Sequence, residues 1–157
     1  MNSINVIAYN IFKKLTEKGK TLSTAESCTG GLIASSITDI PGASKVFLGG
    51  VVVYATEMKK RILKIPEKVF TCGVISKEMA TAMALSVKSL TGSDYSIATT
   101  GNLGPDTMEG KPEGLIYVAI ATPEKVCVKE LSLQGDRLSN KKEATLEALK
   151  FLLGVIA

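Results

Sequence analysis

Thr21-Leu22-Ser23-Thr24-Ala25-Glu26-Ser27-Cys28-Thr29-Gly30-Gly31-Leu32-Ile33-Ala34-Ser35-Ser36-Ile37 changes character twice along its length. Thr21 to Glu26 is short, β-prone and ends at a polar cluster, the pattern of a strand. Ser27 to Gly31 sets small polar side chains beside glycines, the pattern of a tight turn. Leu32 to Ile37 then reads as a buried helix, stopped by Asp39 and Pro41. A strand that passes through a glycine turn into a helix is the repeating unit of α/β architecture.

The flanks extend that reading. Ile4, Ile7, Ile11 and Leu15 fall at helical spacing and Gly19 lies just past them, so residues 3–18 read as a core-facing helix. Downstream, Val51 to Tyr54 is a continuous apolar run, the look of a strand covered on both faces. Glu57 to Leu63 reads as a helix ended by Pro66. Ser76 with Met79 marks a helix start, with the helix running to about Leu90. Tyr95 to Thr100 is a strand. Leu115 to Thr122 and Lys125 to Leu133 read as a hairpin, with Pro123 in the short gap. Leu138 to Leu153 closes the order as a helix. Helices alternate with strands early and a hairpin comes late, so the expected fold is a three-layer α/β/α sandwich on a mixed sheet. Two Gly-rich loops interrupt it, at Gly49-Gly50 and from Gly101 to Gly114. A loop as long as the second is functional or mobile.

Composition narrows the chemistry. With 157 residues, one domain is expected. Apolar residues are 45% and charged residues 22%, which argues against disorder. The longest apolar run, Val46 to Ala55, is broken by glycines and is too short to cross a membrane. The first twenty residues lack a secretion signal, so a cytoplasmic location is expected. There is no His, which removes Ser-His-Asp and Cys-His catalysis and most catalytic zinc sites. The three cysteines, Cys28, Cys72 and Cys127, are far apart and form no disulfide framework. The net charge of +4 gathers around Lys59, Lys60, Arg61, Lys64 and Lys68. It reads as a solvated helix face or as an attraction for phosphate or an acidic partner. Aromatic residues are only 5%, so stacking on nucleic-acid bases is not expected.

The turn at Ser27–Gly31 is where chemistry can sit. Helix N-termini present free N–H groups to anions, and glycine lets a ligand approach the backbone. The same groups can form an oxyanion hole beside a serine nucleophile. The plainer alternative is that Ser or Thr caps the helix while the glycines pack it on the sheet. Without His, a base for Ser27 has to be a lysine held neutral by burial or neighbouring charge, against an ordinary value of ~10.4. Lys59 and Lys60 follow the Val51–Tyr54 strand, with Tyr54 at its end. Cys28 is the rival nucleophile, and also a common kind of small buried residue. Glu26 could orient a lysine or a substrate amide. Asp106 and Glu109 lie in the long loop, and no carboxylate set has a metal-ligand spacing.

Thr24-Ala25-Glu26-Ser27-Cys28-Thr29-Gly30-Gly31 resembles the signature of the CinA C-terminal domain family. So do Pro41-Gly42-Ala43-Ser44, and Phe47-Leu48-Gly49-Gly50-Val51-Val52 leading to Tyr54 and Lys59. Thr100-Gly101 with Gly104-Pro105, Lys111-Pro112-Glu113-Gly114 and Gly135-Asp136-Arg137 continue the resemblance in order, from about residue 3 to 155. It implies a nicotinamide-nucleotide amidohydrolase of pyridine-nucleotide salvage. Such an enzyme converts nicotinamide mononucleotide to nicotinate mononucleotide and ammonia, without metal or cofactor, and is usually a homodimer. It implies catalytic roles for Ser27, Tyr54 and Lys59. Lys59 would take the Ser27 proton directly or through Tyr54, and N–H groups around Thr29, Gly30 and Gly31 would hold the oxyanion. Ser44, the loop with Thr100, Gly101 and Gly104, Arg137 and Lys141 would hold substrate and its phosphate, beside Cys28. Longer relatives carry a further domain, for which 157 residues leave no room, so the amidase half alone is expected. The chain departs from the family at Ala55-Thr56, at Asn102-Leu103 and Asp106-Thr107, and at Lys141, where an arginine is common. Those changes touch substrate contacts, since Lys does not grip phosphate bidentately. They keep open an amidase of different substrate, or a nucleotide- or partner-binding module.

Overall fold

The computed structural model describes residues 2–156. Helix α1, Ser3–Lys18, is capped by the Asn2 side chain and ends at Gly19, whose left-handed backbone (φ 64°) closes it. Strand β1, Leu22–Glu26, is buried along its whole length and leads through the glycine turn into α2, Leu32–Thr38. A single 3-10 turn, Ala43–Lys45, precedes β2, Phe47–Val52. Two short helices follow, α3 (Thr56–Arg61) and α4 (Glu67–Phe70), and then α5, Lys77–Thr91, capped by Ser76. Strands β3 (Tyr95–Gly101), β4 (Leu115–Ala121) and β5 (Val126–Ser132) precede the final helix α6, Arg137–Ile156.

The sheet has five strands in the order β2-β1-β3-β4-β5. β1 runs parallel to both β2 and β3, whereas β4 is antiparallel to β3 and to β5. The sheet is therefore mixed, and the fold is α/β as expected. Alternation along the strands sends unlike side chains to the two faces. Leu22, Ile97, Ile116, Val118 and Ile120 meet α1, α2 and α6 through Ile11, Leu15, Ile33, Ile37, Leu149 and Leu152. The other face offers Ala25, Ala98, Ala119 and Ala121, and these small residues let α5 seat Met79, Met83 and Val87 closely against the strands.

Three expectations need correction. The second strand starts four residues earlier than the apolar run suggests, and Gly49-Gly50 lie inside it rather than in a loop. A Cβ on Gly50 would come within 2.1 Å of Thr24 Oγ1, so this glycine serves close packing on β1, not a turn. The strand is also not covered on both faces: it is the sheet edge, and Leu48 and Val52 are about half exposed. Finally, Pro66 does not end a helix but precedes α4, a short helix with no periodic pattern to announce it.

Candidate active site

β1 ends at Glu26, and the chain turns under the carboxyl edge of the sheet between β2 and β3. In a doubly wound sheet this is the edge where strand order changes direction and ligands bind. Glu26 is buried, and its carboxylate organises the turn. It accepts from Thr29 Oγ1 (2.7 Å) and from the N–H groups of Gly31 (3.2 Å), Ile33 (3.0 Å) and Ala34 (3.0 Å). The N–H groups that open α2 are thus occupied by the protein's own carboxylate. Glu26 therefore neither orients a lysine nor leaves that helix terminus free for an anion.

The oxyanion expectation shifts accordingly. Gly31 N–H goes to Glu26 and Gly30 N–H donates to Ser27 O. Among the described residues, the backbone N–H groups of Cys28 and Thr29 have no protein acceptor. These flank the candidate nucleophile directly. The Thr29 side chain itself is scaffold, fixed between Glu26 and Thr99 Oγ1 (2.8 Å).

Lys59 comes to Ser27 from α3. Its Nζ lies 3.0 Å from Ser27 Oγ, 2.9 Å from Val53 O and 3.3 Å from Tyr54 O. The side chain is only 2% exposed, and burial lowers its pKa from the ordinary lysine value. Nζ donates to Val53 O, Tyr54 O and Ser27 Oγ, and a lysine that lost its extra proton could keep the two carbonyl bonds while its lone pair accepts from the serine hydroxyl. Lys60, the other sequence candidate, points to Glu67 (3.4 Å) and over the Phe70 ring. Arg61 pairs with Glu57 (3.2 Å). Much of the basic cluster is thus neutralised locally.

Tyr54 is placed differently from a relay. Its hydroxyl accepts from Arg137 Nη2 at 2.6 Å, and its ring is 57% exposed. The only link between Tyr54 and Lys59 is the backbone carbonyl of Tyr54. Arg137 also donates through Nη1 to Gly104 O (2.8 Å), so one guanidinium spans two walls. Between them lies a cleft of about 210 Å³ lined by Ser27, Cys28, Tyr54, Gly101, Leu103, Asp106 and Arg137, among others. That is smaller than the ~300–1,000 Å³ usual for a whole ligand. It suits the reacting end of a molecule whose remainder lies across the rim. A larger hollow of about 600 Å³ lies between α1, α2 and α6, but no hydrogen-bonded nucleophile and base meet there.

The remaining candidates separate into neighbours and outsiders. Cys28 lines the cleft but is buried, and that burial pushes its thiol up to about 12, so it stays protonated. Lys141 lies over Gly30: a Cβ there would sit 3.3 Å from its Nζ. It stands one helical turn from Arg137 on α6, but of the two only Arg137 lines the cleft. Thr100 is buried and donates to Val74 O (2.5 Å), a structural bond. Gly101 lies where a Cβ would meet Leu115 O at 2.5 Å. Ser44 is not brought to this cleft. It lines a separate hollow with Pro41 and Phe47 at the opposite end of β2.

The long loop is tied down by residues whose role the sequence did not reveal. Asn102 is buried, and its side chain donates to Lys111 O (3.1 Å) and Met108 O (3.3 Å) while accepting from Met108 N–H (3.0 Å). Glu109 accepts from the N–H groups of Val74 (2.8 Å) and Ile75 (3.1 Å) and from Lys111 (3.2 Å). Partial burial works to raise the Glu109 carboxyl, but these donors outweigh it and hold the group below its ordinary value. Its main partners are backbone amides far along the chain, which no side-chain motif can signal.

The sequence matches a known family over residues 4–156, the CinA C-terminal domain. The chain belongs to that family. A CinA-like protein from Geotalea uraniireducens is 44% identical over 138 residues, covering 86% of this chain and 32% of the relative. The crystal structure of a competence or damage-inducible protein from Enterobacter asburiae superposes with a TM-score of 0.96 at 27% identity, covering 100% of both chains. That of the competence/damage inducible protein CihA from Agrobacterium tumefaciens gives 0.95 at 30% identity, covering 100% of this chain and 98% of the other. The chain spans about a third of the length of the curated relatives it matches. Among the described residues, no helix of this CinA C-terminal domain is long and apolar enough to cross a membrane.

Proposed function

We propose that this CinA-family chain is a serine amidohydrolase that cleaves the carboxamide of nicotinamide mononucleotide. The observation that carries the proposal is the 3.0 Å contact between Ser27 Oγ and a lysine whose burial favours its neutral form. Amide hydrolysis needs an activated nucleophile, a base, a home for the oxyanion and a proton for the leaving amine. Neutral Lys59 takes the Ser27 proton as Oγ bonds to the carboxamide carbon. The carbonyl electron pair moves to oxygen, beside the N–H groups of Cys28 and Thr29. Each such donor typically contributes about 3–4 kcal/mol to the transition state. The C–N bond breaks as Lys59 returns its proton to the departing nitrogen, which leaves as ammonia. Water then gives its proton to Lys59, attacks the acyl carbon and releases the carboxylate, and Ser27 recovers the proton. Because the Tyr54 hydroxyl is engaged by Arg137, the direct path from Ser27 to Lys59 is the better supported. Arg137 at the cleft wall, with Lys141 beside Gly30 one helical turn along α6, supplies positive charge suited to a phosphate lying outside the small pocket.

One observation favours a second reading, an amidase of another small amide. Asp106 lines the cleft, and a carboxylate there opposes an anionic ligand. Ammonia release from nicotinamide mononucleotide by the purified chain, with S27A alongside, tests both. Release by the parent and none by S27A supports the first. Release from neutral amides alone supports the second. No release from any amide refutes the amidohydrolase assignment.

A further inference from the structure

The charged residues that line the Ser27 cleft are Asp106 and Arg137, and their situations differ. The Arg137 guanidinium is engaged by the Tyr54 hydroxyl (2.6 Å) and by Gly104 O (2.8 Å). Among the described residues, no ion pair or side-chain hydrogen bond engages the Asp106 carboxylate, which stands exposed. Its loop is nevertheless fixed on both sides. Asn140 donates to Leu103 O (2.9 Å) before it, and Asn102 holds Met108 through N–H (3.0 Å) and O (3.3 Å) after it. A carboxylate on a tethered loop, with no cation of its own, is placed to meet one brought by a ligand. Tyr54 and Met108 line the same cleft and are 57% and 51% exposed. A carboxylate beside an aromatic ring and a thioether suits a delocalised organic cation, which gains from both charge and ring face.

We propose that Asp106 is a specificity-determining residue that selects a cationic, N-substituted pyridinium ring over a neutral ring of the same shape. This role rests on the Ser27–Lys59 cleft acting on nicotinamide mononucleotide. The ring of that nucleotide is alkylated on nitrogen and carries a positive charge, while its phosphate is negative. The cleft wall likewise offers Asp106 and Arg137. The carboxylate that opposes the phosphate attracts the ring, so it favours entry of the carboxamide end towards Ser27 and disfavours the reverse. A neutral amide of equal size receives no such help.

Titration calorimetry on S27A chains, which hold the amide uncleaved, tests the role. The ligands are nicotinamide mononucleotide and its neutral isostere, the 5′-phosphate of benzamide riboside, in which carbon replaces the ring nitrogen. Carboxamide, ribose and phosphate are common to both, so one ring charge separates them. S27A should bind the cationic nucleotide about 5–30-fold more tightly, the range of one cation contact between an exposed and a desolvated site. S27A/D106N should bind the two within about twofold, because any effect of the substitution on the phosphate cancels in the ratio. S27A/D106E should recover most of the preference. Asp106 is exposed and holds no internal bond, so these variants should keep the parent's circular dichroism.

No preference in S27A, no binding of either ligand, or a preference that D106N leaves intact overturns the role of Asp106. Ammonia release by the chain with Ser27 present is read separately. Release from nicotinamide mononucleotide beside a preference that D106N leaves intact overturns this role and leaves the amidohydrolase standing. A preference abolished by D106N, with no ammonia released, supports Asp106 as the selector of the ring and removes the amidohydrolase.

Discussion

Replacing Glu26 with Gln tests the internal carboxylate that holds the turn before α2. In the parent, Oε1 accepts from Thr29 Oγ1 and from the Gly31 and Ile33 N–H groups, while Oε2 accepts from Ala34 N–H at 3.0 Å. Glutamine can keep the first set through its carbonyl oxygen. Its NH₂ then faces the Ala34 N–H, donor against donor, and the other bonds lose their charge. One buried donor left unsatisfied costs about 1–3 kcal/mol, and weakened charge-assisted bonds add to it. We expect E26Q to lose about 2–3 kcal/mol, and E26A, which abandons every acceptor and opens a cavity, about 4 kcal/mol. At about 2–4 °C per kcal/mol for a chain of this size, E26Q should lower Tm by roughly 4–12 °C. Urea unfolding followed by far-UV circular dichroism at neutral pH reads the difference directly. An E26Q midpoint within about 0.5 kcal/mol of the parent, the range of an ordinary surface change, would refute the account of the turn.

Three other outcomes follow from the same geometry. Lys59 has a lowered pKa in the folded chain, so the unfolded chain binds more protons between that lowered value and ~10.4. Stability from this group should rise with pH across that window, and the amidase rate should climb over its lower part as the amine becomes neutral. K59M should flatten the pH dependence and cost about 10²–10⁴-fold in rate; an unchanged pH–rate profile in K59M would remove Lys59 as the base. C28A should retain turnover within a few-fold, since the buried thiol stays protonated, and a loss as large as that of S27A would make Cys28 the nucleophile. G50A should destabilise β2 by about 1–3 kcal/mol through its clash with Thr24, seen as a lower urea midpoint, and a neutral result would mean that the edge strand moves aside freely.

Much of this was legible in the chain because local rules and tertiary needs agree. The periodic apolar residues of α1, the Ser76 cap and the β4–β5 hairpin are signals carried by neighbouring residues, and each element formed where expected. β2 escaped because glycine usually marks a turn, whereas Gly50 exists for a contact with Thr24 on another strand. The strand's exposure is illegible for a related reason: a continuous apolar run looks alike in a sheet interior and at a sheet edge. At the site, the Ser27–Lys59 pairing was anticipated from the absence of His and from the family resemblance, and the two groups do meet. The engagement of Tyr54 with Arg137, the seating of Glu26 against α2 and the distance of Ser44 from the cleft depend on how segments remote in sequence approach one another. Spacing alone carries no trace of them.

The separations between the cleft's parts bear on when it comes into being during synthesis. Ser27 waits for a lysine 32 residues later, and Tyr54 is fixed only by an arginine 83 residues further on. A ribosome emitting the chain from its amino end thus exposes the serine turn long before Lys59, and Lys59 long before the cleft is walled. Parallel pairing of β1 with β3 must also await α5, a long-range closure of the kind that slows folding. In partly made chains the Ser27 hydroxyl lacks its Lys59 partner, so the Ser27–Lys59 contact marks completion of the fold as a whole.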